Sequence, residues 1–591
     1  MKNIQLHNHT VRTLAIALAM MAIWAGAPVS RAWAADAPAV TPAPAAAATP
    51  AAVAAPVATP APAAAAAPEV KAAEQSKVIL AKLEGLVFVN DAKKIAPAGI
   101  KDMYGVRVLG VPVLEQDEFR QKMAAYLGKP LTEAVKAKIL EDIVVFYREQ
   151  DRPILDVSTP PQEITAGVLQ VLVMEGTVGQ IRVEGARWFD SKTIERQVSL
   201  KQGDPLNSSV IMGDLDWLNR NPFRQVDLVY VKGTEPGKTD MVFRQNDQVP
   251  WRFYTGSENS GTKLTEDTRW LAGTNWGNVF GGEGQLNYQF MSSPHMKFFN
   301  AHSASFTQPL PWRHILSLYG SYGTNKADIA TTSPISLEGY SWQAAMRYEV
   351  PLYGSRNYKH SLVAGFDFKQ SNSELYFGDF KAFGTAVDVA QFSLGYNANM
   401  KDPWGMTSLR ATAYYSQGGF TDRNTTDVFK AIRANATPNY TYGRVDLNRT
   451  TGLPLDFMLV NQVTFQASDA NLLGSEQLGF GGYDSIRGYN GRVINSDRGV
   501  IVSNELRTPP VSLLGKRAAD KLQLLVFADY GYAKDKMVKK GTELLGVGPG
   551  LRYTISSHFS LRSDYGMQLH NVEGAFRKSA SQWHFGMVLS Y

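Results

Sequence analysis

From about residue 249 to the end of the chain, short segments alternate strictly between apolar and polar side chains. In QLNYQF, for example, Leu286, Tyr288 and Phe290 fall on one face and the polar residues fall on the other. Successive side chains of a β-strand point to opposite faces, so this alternation predicts strands with one apolar and one polar face. The same pattern recurs in SLVAGFDFKQ, TSLRATAYYS and HFSLRSDYGMQ.

A soluble β-sandwich and a transmembrane β-barrel both give this alternation, but three features favour the barrel. The apolar faces are rich in Tyr, Phe and Leu, as a lipid-facing band with aromatic girdles requires, and the other faces carry charges. A zone of about 340 residues accommodates about 16 strands with their turns and loops. The chain also ends in WHFGMVLSY, whose aromatic and aliphatic residues share one face up to Tyr591. Since only a closed barrel pairs every backbone group of such strands in a bilayer, an antiparallel barrel is predicted over 249–591.

Between residues 77 and 248 the pattern changes to strands mixed with helices. LEGLVFV predicts a strand, two amphipathic helices follow, and ILDV and GVLQVLVMEG predict a strand pair. The order strand, helix, helix, strand, strand then recurs, with RQVDLVYV and TDMVFRQN as its last two strands. We therefore expect two tandem α/β domains, at 77–175 and 176–248.

The amino-terminal part of the chain carries targeting and linker signals. In residues 1–34, Lys2 and Arg12 precede the apolar run LAIALAMMAIWAGA and a small-x-small site, which predicts a secretory signal peptide. A membrane anchor is the alternative, and the shortness of the apolar run disfavours it. Residues 35–76 are mostly Ala, Pro, Val and Thr, which predicts an extended, semi-rigid linker.

Charge, cysteine content and motifs limit the kinds of function that the chain can have. The net charge of +6 is mild for 591 residues, and lysines and arginines are spread along the chain, so nucleic acid binding is not predicted. The chain has no cysteine, which excludes disulfides and thiolate chemistry. The histidines lack the spacing of a zinc hydrolase, and single ones such as His360 and His584 are interpreted as barrel-wall residues. Because phosphate-loop and nucleophile-elbow motifs are also missing, we expect no enzyme, cofactor, metal or nucleotide.

Two short stretches resemble motifs of one superfamily. GFGGYDSIRGYNGR, from Gly479 to Arg492, contains Ile-Arg-Gly-Tyr at 486–489 and is similar to the sixth-loop motif of outer-membrane protein insertases and polypeptide translocators. VFADYGYA matches the F-x-D-x-G strand motif of the same superfamily at Phe527, Asp529 and Gly531. In a strand these three residues share one face, with Val526 and Tyr530 on the lipid side, so Asp529 is expected to point inward.

The α/β repeats resemble the polypeptide-transport-associated (POTRA) domain. They also indicate to which branch of the superfamily the chain is similar. Gly167–Gly176 matches the segment that closes the first repeat in two-partner secretion transporters, and LNRNPFRQV matches their second repeat. Insertases more often carry five repeats and autotransporter-assembly factors three, so two repeats point to the transporter. Relatives often begin with a helix that plugs the pore. Here the mature chain is expected to begin with the Ala/Pro linker, and AAEQSKVILAKL is the candidate for a remnant of that helix, so a well-formed plug is not predicted.

The resemblance implies an outer-membrane transporter with its POTRA domains in the periplasm and its barrel in the outer-membrane lipid. It would secrete one large exoprotein without ATP, and the exoprotein would be an adhesin or haemolysin of β-helical type. An assembly factor for other membrane proteins and a passive diffusion pore are the alternatives that remain open.

The resemblance also implies two sets of site residues. If the loop folds back into the barrel, Arg487 meets Asp529 in a charge-assisted, bidentate pair. This loop-to-barrel anchor comprises Arg487, Asp529, Gly488, Tyr489, Phe527 and Gly531. The exoprotein is expected to add a strand to an exposed sheet edge in the second POTRA domain. That edge comprises Arg224, Gln225, Val226, Leu228 and Tyr230.

Overall fold

The computed structural model describes residues 78–591 except 236, 263–264, 329–334, 356, 378–379, 516–517, 536–539 and 573–580. The predicted signal peptide (1–34) and the predicted linker (35–76) lie outside these residues. The chain divides into two compact units, one ending at Val249 and the other running from Pro250 to Tyr591.

The first sheet of the amino-terminal unit lies against two helices. Its elements are β1 (Val78–Leu80), β2 (Gly85–Val89), β3 (Gly105–Leu109), α1 (Asp117–Ala124), β4 (Leu131–Thr132), α2 (Glu133–Glu149), β5 (Leu155–Ser158) and β6 (Val168–Glu175). The sheet has the order β3-β2-β6-β5, and the apolar faces of both helices pack on it. Phe119 on α1 contacts Phe88 and Phe146, with ring centroids 5.1 Å apart in both pairs. The Thr132 hydroxyl caps α2 by accepting from the Val135 amide at 3.2 Å.

A second, smaller sheet follows in the same unit. Its elements are β7 (Thr177–Glu184), α3 (Ser191–Gln197), α4 (Ser208–Leu218), β8 (Arg224–Lys232) and β9 (Lys238–Asp247). The strand order β7-β9-β8 makes β8 an edge strand, paired antiparallel with β9. Asp190 and Asn207 cap the two helices by accepting amides of their first turns. Ile194, Ile211 and Phe243 are among the residues that form the core between helices and sheet.

Two strands of the first sheet region differ from the sequence prediction. β3 was not predicted, and it pairs parallel with β2 along the edge of the sheet. AAEQSKVILAKL does not continue as a helix in its described part, because Val78–Leu80 forms β1 and pairs with β4. The part of this stretch before residue 78 lies outside the described residues.

The strands of the second unit close into an antiparallel barrel. Its elements are β10 (Trp251–Glu258), β11 (Arg269–Val279), β12 (Gly284–Ser292), β13 (Phe299–Pro309), β14 (Ile315–Asp328), β15 (Ile335–Pro351), β16 (Tyr358–Phe377), β17 (Phe380–Asp402), β18 (Gly405–Gln417), α5 (Thr426–Ile432), β19 (Asn439–Gly452), β20 (Met458–Ser468), β21 (Leu478–Phe480), β22 (Ile494–Ser496), β23 (Gly499–Arg507), β24 (Asp520–Ala533), β25 (Thr542–Ile555), β26 (Phe559–Gln568) and β27 (Ser581–Ser590). Within the described part of the chain, sixteen of these strands form the barrel, β21 and β22 form a separate hairpin, and β27 closes the barrel on β10.

The barrel confirms the predicted strand number and excludes the sandwich. Its outer face carries Leu524 and Val526, which are 52% and 56% exposed, whereas Asp529 on the same strand is fully buried. Among the described residues, none of the helices has the length and hydropathy needed to cross a membrane. Since adjacent strands are antiparallel, the connections that follow β10, β18, β20, β24 and β26 all lie at one end of the barrel, called here the distal mouth.

Candidate functional site: an inward loop anchored to the barrel wall

Between β20 and β23 the chain forms residues 469–498, called here the inward loop. β21 and β22 pair antiparallel and form its stem. At its tip, Ile486, Arg487 and Tyr489 are at most 2% exposed. The tip contacts buried side chains of β23, β24 and β26, so the loop folds back from the distal mouth into the lumen.

Arg487 and Asp529 make the contact at the centre of the tip. The guanidinium donates from Nε to Asp529 Oδ2 at 2.7 Å and from a terminal nitrogen to Oδ1 at 2.9 Å. The Arg487 amide donates to Oδ2 as well, at 3.0 Å. The Arg487 guanidinium carbon also lies 3.7 Å from the centroid of the Phe527 ring. This geometry fixes both the side chain and the backbone of Arg487 on β24.

Further charged residues surround this pair. Arg487 donates to Glu505 Oε1 at 2.5 Å and lies 3.7 Å from Asp564 Oδ2. Arg552 binds both of these carboxylates, at 3.2 and 2.7 Å, and Arg507 binds Glu505 at 2.5 Å. Among the described residues here, three guanidiniums therefore balance three carboxylates. We call this group the anchor network: Arg487, Arg507, Arg552, Glu505, Asp529 and Asp564.

The backbone of the tip is held against the wall as closely as the side chain. The Gly488 amide donates to His584 Nε2 at 3.0 Å, and its carbonyl oxygen accepts from Gln568 at 2.5 Å. Gly566 makes this approach possible, since a Cβ there would lie 2.2 Å from the Gly488 nitrogen. The Tyr489 hydroxyl lies 2.6 Å from the carbonyl oxygen of His570. Gly531 similarly leaves room for Ile486, whose Cδ1 would be 2.2 Å from an added Cβ.

The structure thus brings all six predicted anchor residues together and adds others. Glu505, Asp564, Gln568 and His584 were not predicted as site residues, although each is a polar residue on the inward face of an alternating strand. His584 lies in the wall, as interpreted, and also accepts a hydrogen bond from the loop. Alternation alone does not distinguish these residues from other lumen-facing polar side chains, because the site depends on where the loop tip rests.

Two more contacts fasten the inward loop near its ends. Fully buried Glu476 accepts from Lys369 on β16 at 2.9 and 3.0 Å and from the Tyr442 hydroxyl at 2.9 Å. At the other end, Asp497 binds both terminal nitrogens of Arg433, at 2.5 and 3.0 Å. Arg433 directly follows α5, so the β18–β19 connection is tied to the inward loop at the distal mouth.

In the structure, fewer residues of the predicted docking edge on β8 are open to an added strand than the sequence predicts. Arg224 is buried and donates to the Leu218 carbonyl at 2.8 Å, so its side chain is not available at the edge. The Val226 amide and carbonyl are both capped by the Asn219 side chain, at 2.6 and 2.9 Å. Gln225 is exposed and its backbone faces β9. By the antiparallel alternation, the backbone groups of Leu228 and Tyr230 face outward like those of Val226.

Tyr230 is partly buried at this edge, and burial raises the pKa of its phenol above the ordinary value. Within the described part of the chain, no group of three or more His, Asp and Glu side chains is placed to hold a metal ion. The two candidate sites are therefore a hydrogen-bonded loop anchor in the barrel and a short free strand edge on β8.

Comparisons with known proteins identify one family. The family described as "Haemolysin secretion/activation protein ShlB/FhaC/HecB" matches residues 237–553. The chain is 22% identical over 529 residues to the heme/hemopexin transporter protein HuxB of Haemophilus influenzae strain 86-028NP, covering 83% of this chain and 88% of that protein. It is 23% identical to the outer membrane transporter CdiB of Dickeya dadantii strain 3937, covering 58% and 61%. The solved structure of CdiB from Escherichia coli superposes with a TM-score of 0.69 at 18% identity, covering 89% of this chain and 93% of that one.

Proposed function

Because the chain belongs to the haemolysin secretion/activation protein family ShlB/FhaC/HecB, we propose that it secretes one partner exoprotein and that the inward loop controls this passage. The protein is an outer-membrane transporter of the two-partner type, and its POTRA domains lie in the periplasm. Since β10 follows directly after the POTRA domains, the distal mouth opens to the cell exterior.

The observation that carries the proposal is the anchored loop in the lumen. An extended polypeptide in the barrel needs the space that the tip fills, so the loop leaves its place when the partner passes. The anchor network holds the tip by charge-assisted hydrogen bonds, which keep the resting barrel closed. A passive diffusion pore has no need of a loop fixed by a buried ion-pair network.

The partner enters from the periplasm as an unfolded chain. Its amino-terminal domain docks on the β8 edge, where the outward backbone groups of Leu228 and Tyr230 pair with an added strand. Backbone hydrogen bonds give affinity there, and the partly buried side chains of Leu228 and Tyr230 favour an apolar partner strand. Folding of the exoprotein outside the cell makes the passage directional.

We propose that the partner is a large β-helical adhesin or haemolysin. A β-helix adds one coil at a time, so it folds outside from the first coil that emerges, and this progressive folding draws out the rest of the chain. HuxB and CdiB, which resemble most of this chain, are transporters, and we assign the chain no reaction of its own.

Deletion of the gene, followed by proteomics of the culture medium and of the outer membrane, tests this function. One large protein should disappear from the medium, and a plasmid copy of the transporter should restore it. A general loss of outer-membrane proteins would favour an assembly factor instead. A change in solute uptake with an unaltered medium would favour a diffusion pore.

A further inference from the structure

The first and last strands of the barrel meet at a seam that carries its own ion pair. β10 and β27 pair over Tyr254–Glu258, and Glu258 lies opposite Gly586. On the other side of β27, Gly586 lies opposite Arg562 of β26. Arg562, Gly586 and Glu258 therefore form one row across three neighbouring strands.

The Arg562 side chain crosses β27 along this row. Its guanidinium donates to Glu258 Oε2 at 2.8 Å, which ties β26 to β10 over the strand between them. Gly586 leaves the path open, because a Cβ at that position would lie 2.5 Å from Arg562 Nε. The Ser260 hydroxyl donates to the second oxygen of Glu258 at 2.6 Å and holds the carboxylate in place.

One face of the same guanidinium is covered by the inward loop. The Arg562 guanidinium carbon lies 3.4 Å from the centroid of the Tyr483 ring, four positions before Arg487 in the loop. An arginine pairs with a carboxylate in the plane of its guanidinium and stacks on a ring with its face, so both contacts form at once. The seam and the loop thus share one side chain.

We propose that Arg562 is a positioning residue that couples the inward loop to the closing seam of the barrel, with Glu258, Gly586 and Tyr483 as its partners. Glu258 orients the guanidinium across β27, and the oriented guanidinium holds Tyr483. Loss of either partner weakens the hold on the loop, although the anchor network around Arg487 remains intact. The inference rests on the proposed function only in the step from loop position to secretion.

Loop position can be measured without any partner. The chain has no cysteine, so Ser485→Cys gives a single thiol between Tyr483 and Arg487, and the Ser485 hydroxyl oxygen is buried without a hydrogen-bond partner among the described residues. In the purified, folded transporter, the rate of maleimide labelling at this thiol reports the fraction of molecules whose loop has opened.

In the Ser485→Cys background, Arg562→Gln, Glu258→Gln and Gly586→Ala should each raise the labelling rate roughly tenfold, the order expected for a lost buried cation–π or charge-assisted contact. Gly320→Ala is the matched control, since its Cβ would meet only the Gln343 carbonyl oxygen, at 3.7 Å.

Tyr483→Leu should raise the labelling rate as Arg562→Gln does, whereas Tyr483→Phe, which keeps the ring, should label as slowly as the Ser485→Cys protein alone. Tyr483 lies on no barrel strand, so these two variants test the contact without altering the wall.

Unchanged labelling in folded Arg562→Gln and Tyr483→Leu proteins would overturn the proposal, as would Gly586→Ala behaving like Gly320→Ala. Secretion is measured separately in the same variants. If labelling rises as expected while Arg487→Ala still secretes normally, the coupling stands and the proposed gating by the loop fails.

Discussion

At the loop tip, one guanidinium serves several partners at once. Arg487 binds Asp529 through two nitrogens, reaches Glu505 with another hydrogen bond and packs on Phe527. A lysine offers a compact charge without a planar face and cannot reproduce this set of contacts. The geometry therefore requires arginine rather than any positive charge.

Arg487→Ala and Asp529→Ala should each release the tip and stop secretion. Arg487→Ala leaves the buried Asp529 carboxylate without its cation, and Asp529→Ala leaves the anchor network with one more positive than negative charge. Either imbalance costs about 3–5 kcal/mol of loop anchoring. The strands keep their backbone pairing, so both variants should still reach the outer membrane. The measurement is the amount of partner in the medium relative to folded transporter in the membrane.

Arg487→Lys is the matched control for that experiment and should retain part of the activity, because it keeps the charge. Normal export by both alanine variants would contradict the anchor's role.

For single residues, the sequence predicted the contact between Arg487 and Asp529 but not the acidic residues around it. Arg487 and Asp529 lie in two recognisable motifs, whereas Glu505 and Asp564 are single acidic residues in ordinary alternating strands. They belong to the site because the loop tip lies beside them, although they are 18 and 77 positions from Arg487 in the chain. Such a contact follows from the path of the loop, which local patterns do not define.

Among the elements, strands with period-2 alternation were predicted well and short edge strands were not. The barrel strands have one lipid face and one lumen face, so their pattern is unambiguous. β3 spans five residues beside glycines, and its parallel pairing with β2 brings together segments about 20 positions apart. The β8 edge was predicted, but the Asn219 cap on Val226 depends on the turn after α4.

The β8 edge gives a second prediction. Tyr230→Pro removes a backbone donor that faces outward, so the pairing with β9 is kept while an added strand loses one hydrogen bond. Loss of one backbone hydrogen bond should weaken binding of the partner by about threefold to tenfold. Binding of the partner's amino-terminal domain to the full-length transporter in nanodiscs measures the effect.

Tyr230→Phe changes only the phenol and should bind the partner normally. Equal affinity for Tyr230→Pro and the natural protein would exclude this edge as the docking site.

The segment around α5 gives a third prediction, at the distal mouth. Arg433 binds Asp497 of the inward loop and lies 3.2 Å from Asp535, beyond the end of β24. Arg433→Ala leaves the fully buried Asp497 without this cation, so the segment should detach and the channel should open several-fold more often. Single-channel recordings in planar bilayers count the openings, and Lys430→Ala, which removes an exposed charge on α5 itself, should leave them unchanged. Equal opening frequencies for the two variants would show that Arg433 does not keep the channel closed.

For the whole molecule, the proposed function makes the anchored inward loop a resting state that the transporter leaves during transport. Arg487, Glu476 and Asp497 fasten the loop to different parts of the wall and of the distal mouth. Each contact is polar and buried, so each is strong when closed and exchangeable with water once opened. Under the proposed gating, the closed loop is the more populated state without a partner, and partner binding shifts the equilibrium towards opening.

Locking the loop in place tests this requirement directly. An ideal Cβ at Gly491 lies 4.0 Å from the Ser260 carbonyl oxygen, so Gly491→Cys with Ser260→Cys places two thiols near each other across the loop and the first distal connection. Because the natural chain has no cysteine, oxidation or a short bis-thiosulfonate reagent joins only this pair, in both cases through disulfide bonds that a reductant cleaves. Secretion should stop when the pair is joined and, after reduction, return to the level of the Ser260→Cys single variant, which lacks the hydroxyl bound to Glu258. Oxidation should not change secretion by either single variant. Secretion that continues through a fully joined transporter would mean that the partner passes without displacing the loop.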